Sequence, residues 1–136
     1  MKQKTKIGVV GVGHLGTHHT KHYSSISNAE LVGVYDIDAN KSNEVAKRYK
    51  TDALASLDAL LEKTDAVSVV TPTEHHKLVA EACIAKGKHV FIEKPISQTV
   101  DEAEALINLA QKKNVIIQVG HIERVNPALL PLRNLD

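Results

Sequence analysis

The run Lys6-Ile7-Gly8-Val9-Val10 has the composition of a buried strand and passes directly into Gly11-Val12-Gly13-His14-Leu15-Gly16, glycines spaced G-x-G-x-x-G ahead of helix-compatible residues. No other stretch constrains the chain as much, because this is the order in which a parallel strand turns tightly into a helix N-terminus. Gly11 permits the turn, Gly13 lets the backbone approach a diphosphate with no Cβ in the way, and Gly16 lets the helix lie close to the strand. His14 and Leu15 fill the variable positions, and the unpaired N–H groups at this positive end of the helix are suited to holding phosphates.

The glycine spacing alone is weak, and Leu31-Val32-Gly33-Val34-Tyr35 supplies the second observation: another β-type run, ended by Asp36 twenty residues after Gly16. A carboxylate there can accept hydrogen bonds from both hydroxyls of an adenosine ribose; the plainer alternative is an ordinary strand-end turn residue. A phosphate on the 2′ oxygen would bring like charges together, and at about 4 Å and an effective dielectric of about 20 each pair costs about 4 kcal/mol. NAD is therefore expected over NADP, with Lys41 able to offset part of the repulsion.

At 136 residues the chain suits one domain, able to bury about two thirds of the surface its unfolded form exposes. Apolar residues make up 43% but aromatics only 3%, with no Trp, so the core must be aliphatic, which favours a parallel sheet covered by helices. Seventeen basic and sixteen acidic side chains nearly cancel, leaving no electrostatic case for nucleic acid. No apolar run is long enough for a membrane span or a signal peptide. The single cysteine, Cys83, has no partner in the chain and falls on a helical apolar stripe, so core packing is expected and the cytoplasm is the default location.

Strand and helix alternate along the rest of the chain. A first helix runs from about His14 to Ser24; Asp38 caps a second, with Val45, Ala46 and Tyr49 toward the sheet. Thr51 to Leu54 is a short edge strand, and Ser56 caps a brief helix with Leu57, Leu60 and Leu61 on one face. Ala66 to Val70 is a buried strand stopped by Thr71-Pro72, and His76 to about Lys86 is a helix with Leu78, Val79, Ala82 and Cys83 in one stripe, closed by Gly87. His89 to Ile92 is a strand cut off by Glu93-Lys94-Pro95, whose Lys94-Pro95 bond is a candidate for the cis form. Thr99-Val100-Asp101-Glu102 reads as a capping box for a helix through Ala103, Leu106, Ile107 and Ala110, and Val115 to Val119 is the last strand. The expected fold is α/β, a doubly wound, mainly parallel six-stranded sheet in order 3-2-1-4-5-6, counted along the chain. Such a sheet brings Gly11–Gly16, Asp36, Thr71-Pro72-Thr73 and Glu93-Lys94-Pro95 to one edge.

With the glycine fingerprint, Thr71-Pro72-Thr73-Glu74-His75-His76, Gly87-Lys88-His89-Val90 and Glu93-Lys94-Pro95 in this order, nearly the whole chain resembles the N-terminal half of the Gfo/Idh/MocA oxidoreductases. The resemblance implies a Rossmann domain over residues 1–120, with 121–136 starting the connection to an α+β substrate domain beyond Asp136. It also implies hydride transfer to or from a carbinol carbon of a sugar, cyclitol or nucleotide-sugar. The tail Val119-Gly120-His121-Ile122-Glu123-Arg124-Val125-Asn126-Pro127-Ala128 is similar to a branch that includes UDP-N-acetylglucosamine 3-dehydrogenases, although Val125 stands where that branch usually has Phe. Lys94 is implied as the catalytic lysine beside the nicotinamide, where an ammonium can position the substrate oxygen and stabilise its developing charge; a solvated strand-end lysine is the alternative. Glu93 is expected to orient Lys94 or the cofactor, the alternative being a base. The resemblance implies that Thr71, Pro72 and Thr73 lie against the ribose and nicotinamide side of the cofactor. His76 either faces the cofactor or caps and packs, and Arg124 and His121 either line the nicotinamide pocket or mark a hinge.

His14, His18 and His22 share one helix face, with His19 beside them. The spacing can bind zinc or nickel, but no Cys or acidic ligand is near and no metal is expected; His19 matches a histidine common three residues after the family's last glycine. The leading reading is a cofactor-binding domain that binds but does not turn over alone, in a full-length protein expected to be a homo-oligomer. The rival from another class is a non-catalytic nucleotide-sensing module, against which Glu93-Lys94-Pro95 argues, and a second is an α/β domain with an empty glycine turn.

Overall fold

A computed structural model describes residues 3–134; Leu135 and Asp136, the end of the Leu-rich tail, lie outside the described residues. The elements run β1 (Thr5–Val10), α1 (His14–Tyr23), β2 (Ala29–Tyr35), α2 (Ala39–Tyr49), α3 (Leu57–Lys63), β3 (Ala66–Val69), α4 (Thr73–Ala85), β4 (His89–Ile92), α5 (Val100–Lys113) and β5 (Ile117–Val119), followed by 3-10 turns over Ile122–Val125 and Pro127–Asn134. The sheet is parallel throughout, in order β2-β1-β3-β4-β5.

Five strands stand where six were expected. Thr51 to Leu54 is not a strand: Ala53 alone bridges Val34, through Asp52 O accepting from Val34 N at 2.8 Å and Leu54 N donating to Val34 O at 2.9 Å. The chain has no room for more, because the α3 cap at Ser56 follows two residues later and Leu54 folds over the sheet at Gly33, where a Cβ would stand 2.2 Å from Leu54 Cδ2. The rest of the expected order holds.

Two aliphatic layers cover the sheet. Val10, Val69 and Ile92 are in register and pack with α3, α4 and α5 through Leu60, Leu61, Ala80, Cys83, Ile84, Leu106 and Ala110. On the other face Val9 and Val34 pack with Val45, Ala46 and Tyr23, beneath α1 and α2. This is the period-two alternation of strands buried on both faces.

The helix starts follow the capping residues. Asp38 accepts from Asn40 N and Lys41 N, Ser56 from Ala59 N, and Thr99 and Glu102 complete a reciprocal capping box. α4 departs from expectation: it begins at Thr73, and its buried residues are His76, Ala80, Cys83 and Ile84, leaving Leu78 68% exposed. The stripe is rotated because His76 is drawn into the interior. In α5, likewise, Leu106 and Ala110 are buried and Ile107 is exposed. Burial pushes the Cys83 thiol up to about 12, so the thiolate, the nucleophilic form, is absent near neutral pH.

Candidate functional site

β1 and β3 are neighbours whose following helices leave to opposite faces, α1 to one and α4 to the other. The crevice at the carboxyl ends of two such strands is where open α/β sheets take ligands. Three helices, α2, α3 and α5, have side-chain caps, but α1 and α4, the two flanking the crevice, have none. No side-chain oxygen closes their first turns, although in α4 the His75 N–H turns back to Pro72 O at 2.9 Å.

The glycine turn is built as its spacing requires. Gly11 has φ +85°, and a Cβ there would meet Val70 O at 2.7 Å and Thr71 N at 2.8 Å, so only glycine lets this loop lie against the turn after β3. At Gly16 a Cβ would stand 1.8 Å from Gly11 O, whereas at Gly13 nothing lies within 4 Å. The loop is therefore packed on its inner side and open at Gly13, beside the exposed His14 and Leu15.

Asp36, at the end of β2, accepts from Val12 N through Oδ2 at 2.8 Å and from Asp38 N through Oδ1 at 2.9 Å. The carboxylate thus fastens the glycine loop to the loop opening α2, while each oxygen retains acceptor capacity. Lys41 lies 3.8 Å from Asp38, in an exposed pair.

On the β3 side, Thr71 Oγ1 is buried and is the one such side-chain atom among the described residues with no hydrogen-bond partner. Thr71 is also held by its carbonyl: His76, 1% exposed, places Nε2 2.9 Å from Thr71 O and Nδ1 2.8 Å from Pro95 O. Both partners are acceptors. The ring ties the Thr71-Pro72-Thr73 turn to the Glu93-Lys94-Pro95 turn instead of facing the crevice, and the Lys94-Pro95 bond is cis.

Lys94 is exposed at the end of β4, and Glu93 beside it is not. Glu93 Oε1 meets His19 Nε2 at 2.8 Å, its Oε2 accepts from Lys94 N at 3.2 Å, and His19 Nδ1 meets Ser68 Oγ at 2.8 Å. Burial raises the Tyr23 hydroxyl above its ordinary value, with a partial lowering by its hydrogen bond with Ser68 and a further rise from the Glu93 charge. Ser68 was missed in the sequence, although a lone polar residue amid Ala66-Val67-Val69-Val70 was a usable signal.

Gly11, Gly13, Gly16, Asp36, Thr71, Pro72, Thr73, Glu93 and Lys94 all lie at the carboxyl edge of the sheet. Asp36 and Lys94 follow strands three places apart, roughly 14 Å at the usual strand spacing, a span for an extended ligand. His121 and Arg124 lie further out, where the Arg124 main-chain N donates to His121 O at 3.1 Å in the 3-10 turn after β5. His14 and His18 stack edge to face at 4.8 Å; among the described residues no group of three or more His, Cys, Asp or Glu is placed to hold a metal ion. Nor is any helix there long and apolar enough to cross a membrane.

Two features fit a dinucleotide: the open cradle at Gly13, which leaves α1 without a side-chain cap, and the buried Thr71 hydroxyl without a partner. Residues 5–121 match the family model GFO_IDH_MocA, described as an oxidoreductase family with an NAD-binding Rossmann fold. The chain is 47% identical over 128 residues to UDP-N-acetylglucosamine 3-dehydrogenase of Acidithiobacillus ferrooxidans, covering 94% of this chain and 40% of that protein. A solved structure of that enzyme superposes with a TM-score of 0.92 at 45% identity, over 97% of this chain and 43% of that one. The scyllo-inositol 2-dehydrogenase (NAD(+)) of Bacillus subtilis is 31% identical over 94% of this chain and 39% of its own length. GenD2 from gentamicin A biosynthesis, solved in complex with NAD, gives a TM-score of 0.84 at 28% identity over 88% of this chain and 35% of that one. The chain thus spans about 40% of the length of the curated relatives.

Proposed function

The chain belongs to the Gfo/Idh/MocA oxidoreductase family as its NAD-binding Rossmann domain, and from that premise we propose that the protein is an NAD-dependent dehydrogenase acting on a carbinol carbon of a sugar, cyclitol or nucleotide-sugar. The observation that carries this reading is the sharing of one sheet edge by the open glycine cradle, Asp36 and the Glu93-Lys94-Pro95 turn. The first-turn N–H groups of α1 hold the diphosphate, Asp36 the adenosine ribose, and the Thr71-Pro72-Thr73 turn the nicotinamide side. NAD bound there supplies the hydride acceptor or donor. The exposed Lys94 supplies the ammonium that positions the substrate hydroxyl and stabilises charge developing on its oxygen, in support of a base outside these residues. Residues 1–120 form the cofactor domain and 121–136 lead toward a substrate domain. The nucleotide-sugar relative at 47% identity favours that substrate class, and the reading places the protein in the cytoplasm as a homo-oligomer.

Calorimetry on the 136-residue chain tests the binding half. NAD is expected to bind at least tenfold more tightly than NADP, with no turnover of any sugar; a folded chain that binds neither nucleotide overturns the reading. In a protein with the substrate domain, Lys94→Ala should abolish most turnover while NAD still binds.

A further inference from the structure

Across one row of the sheet, facing the α1 side, lie Val34, Val9, Ser68, Phe91 and Gln118. The first two are sealed beneath α1 and α2. Where the row turns polar, at Ser68, His19 comes down from α1 and takes Ser68 with one ring nitrogen and Glu93 with the other, both at 2.8 Å. The His19 and Glu93 side chains are only 15% and 14% exposed, and the Phe91 ring meets the imidazole edge to face at 5.5 Å.

Hydrogen-bond stoichiometry then assigns the protons. An ionised carboxylate only accepts, so Nε2 carries the proton given to Glu93, and in the neutral ring Nδ1 accepts from the Ser68 hydroxyl. With Oε1 held in this way, Glu93 has Oε2 left for the Lys94 main-chain N–H at 3.2 Å. The other side of the carboxylate is shaped as well. A Cβ on Gly120 would stand 3.2 Å from Glu93 Oε2 and 3.1 Å from Phe91 Cζ, so the glycine after β5 spares both side chains a tight contact.

We propose that His19 is a positioning residue for Lys94: by locking Glu93 it sets the direction in which the lysine leaves β4. The helix whose first turn carries the phosphate cradle is the helix that carries His19, three residues after Gly16. α1 therefore couples the placement of the diphosphate to that of the lysine, and a shift of the helix at its N-terminus is transmitted to Glu93 through one rigid imidazole. The consequence for chemistry rests on the reading of Lys94 given above; the link itself is a property of the chain without nucleotide.

Nuclear magnetic resonance on the isotope-labelled 136-residue chain decides it. In the unaltered protein the His19 nitrogens are expected to show the Nε2–H tautomer and the Lys94 amide proton a carboxylate-bonded, downfield resonance. His19→Ala should move the Lys94 amide resonance to the position it takes in Glu93→Gln, and His19→Gln, which can donate to Glu93 and accept from Ser68, should bring it back. A Nδ1–H tautomer in the unaltered chain, or a Lys94 amide unmoved in folded His19→Ala, overturns the proposal. The tautomer measurement stands even if His19→Ala does not fold. Should the chain fail to bind NAD, the cofactor reading falls while these resonances still decide the role of His19.

Discussion

Asp36 has a structural duty, besides the one proposed for it, that a sequence pattern does not reveal. Both of its oxygens accept main-chain N–H groups, one from the glycine loop and one from the loop before α2, so it shapes the cradle, and in the proposed function its remaining lone pairs take the ribose hydroxyls. A hydrogen bond to a charged group contributes about 1.5–3 kcal/mol, which corresponds to tenfold or more in affinity. Asp36→Ser is expected to weaken NAD binding by at least that factor and to improve NADP binding, since the repelling charge is gone. Calorimetry with both nucleotides checks this, and a variant that keeps its NAD affinity and gains none for NADP removes Asp36 from the ribose role. His76 is the opposite case, a buried histidine whose ring is set between the carbonyls of Thr71 and Pro95, so it acts on the two turns it joins.

Helices α1 and α4 differ from the others at their first turns, and the difference marks the crevice. Where Asp38, Ser56 and Thr99 cap the first turns of their helices with side-chain oxygens, α1 follows Gly13 and α4 follows Pro72 with no such bond. A helix deprived of a cap loses about 1 kcal/mol, a cost that an anion bound at the same groups can offset. The approach of α1 to β1 depends on Gly16, where a Cβ would sit 1.8 Å from Gly11 O, a main-chain atom unable to swing aside. Gly16→Ala should therefore displace the helix, destabilising the domain by about 1–3 kcal/mol and weakening NAD binding in parallel. Urea unfolding and calorimetry on the same variant check both, and unchanged values in both would show that α1 does not need this contact.

The sheet as a whole is covered unevenly. α3, α4 and α5 seal one face from β1 to β4, but on the other face α1 and α2 cover β1 and β2, and beyond them His19 reaches over Ser68 of β3 to the edge of the Phe91 ring. Over β4 and β5 that second face is a shallow, mostly apolar groove lined in part by Tyr23, Phe91 and Ile116, with Ile116 66% exposed. Exposed apolar surface of this kind promotes association. The 136-residue chain is expected to bind a hydrophobic dye such as anilinonaphthalene sulfonate while folded and to self-associate as its concentration rises. Fluorescence and sedimentation velocity measure the two effects, and a monomer at high concentration with no dye binding shows that the groove is inert.

The fold class, the strand order, the cap residues and the glycine cradle were all legible in the sequence, because each depends on local periodicity or on the backbone freedom of one residue type. Tertiary structure decided the rest. Thr51 to Leu54 has strand composition, yet pairing length depends on how soon the chain must turn into α3, and only one bridge forms. His76 pulled the α4 stripe round because its partners, Thr71 O and Pro95 O, come from separate loops. His19, Ser68 and Glu93, brought together from α1, β3 and the end of β4, carry no shared spacing, since hydrogen bonds between elements are set by sheet register and helix placement, which exist only once the chain has folded.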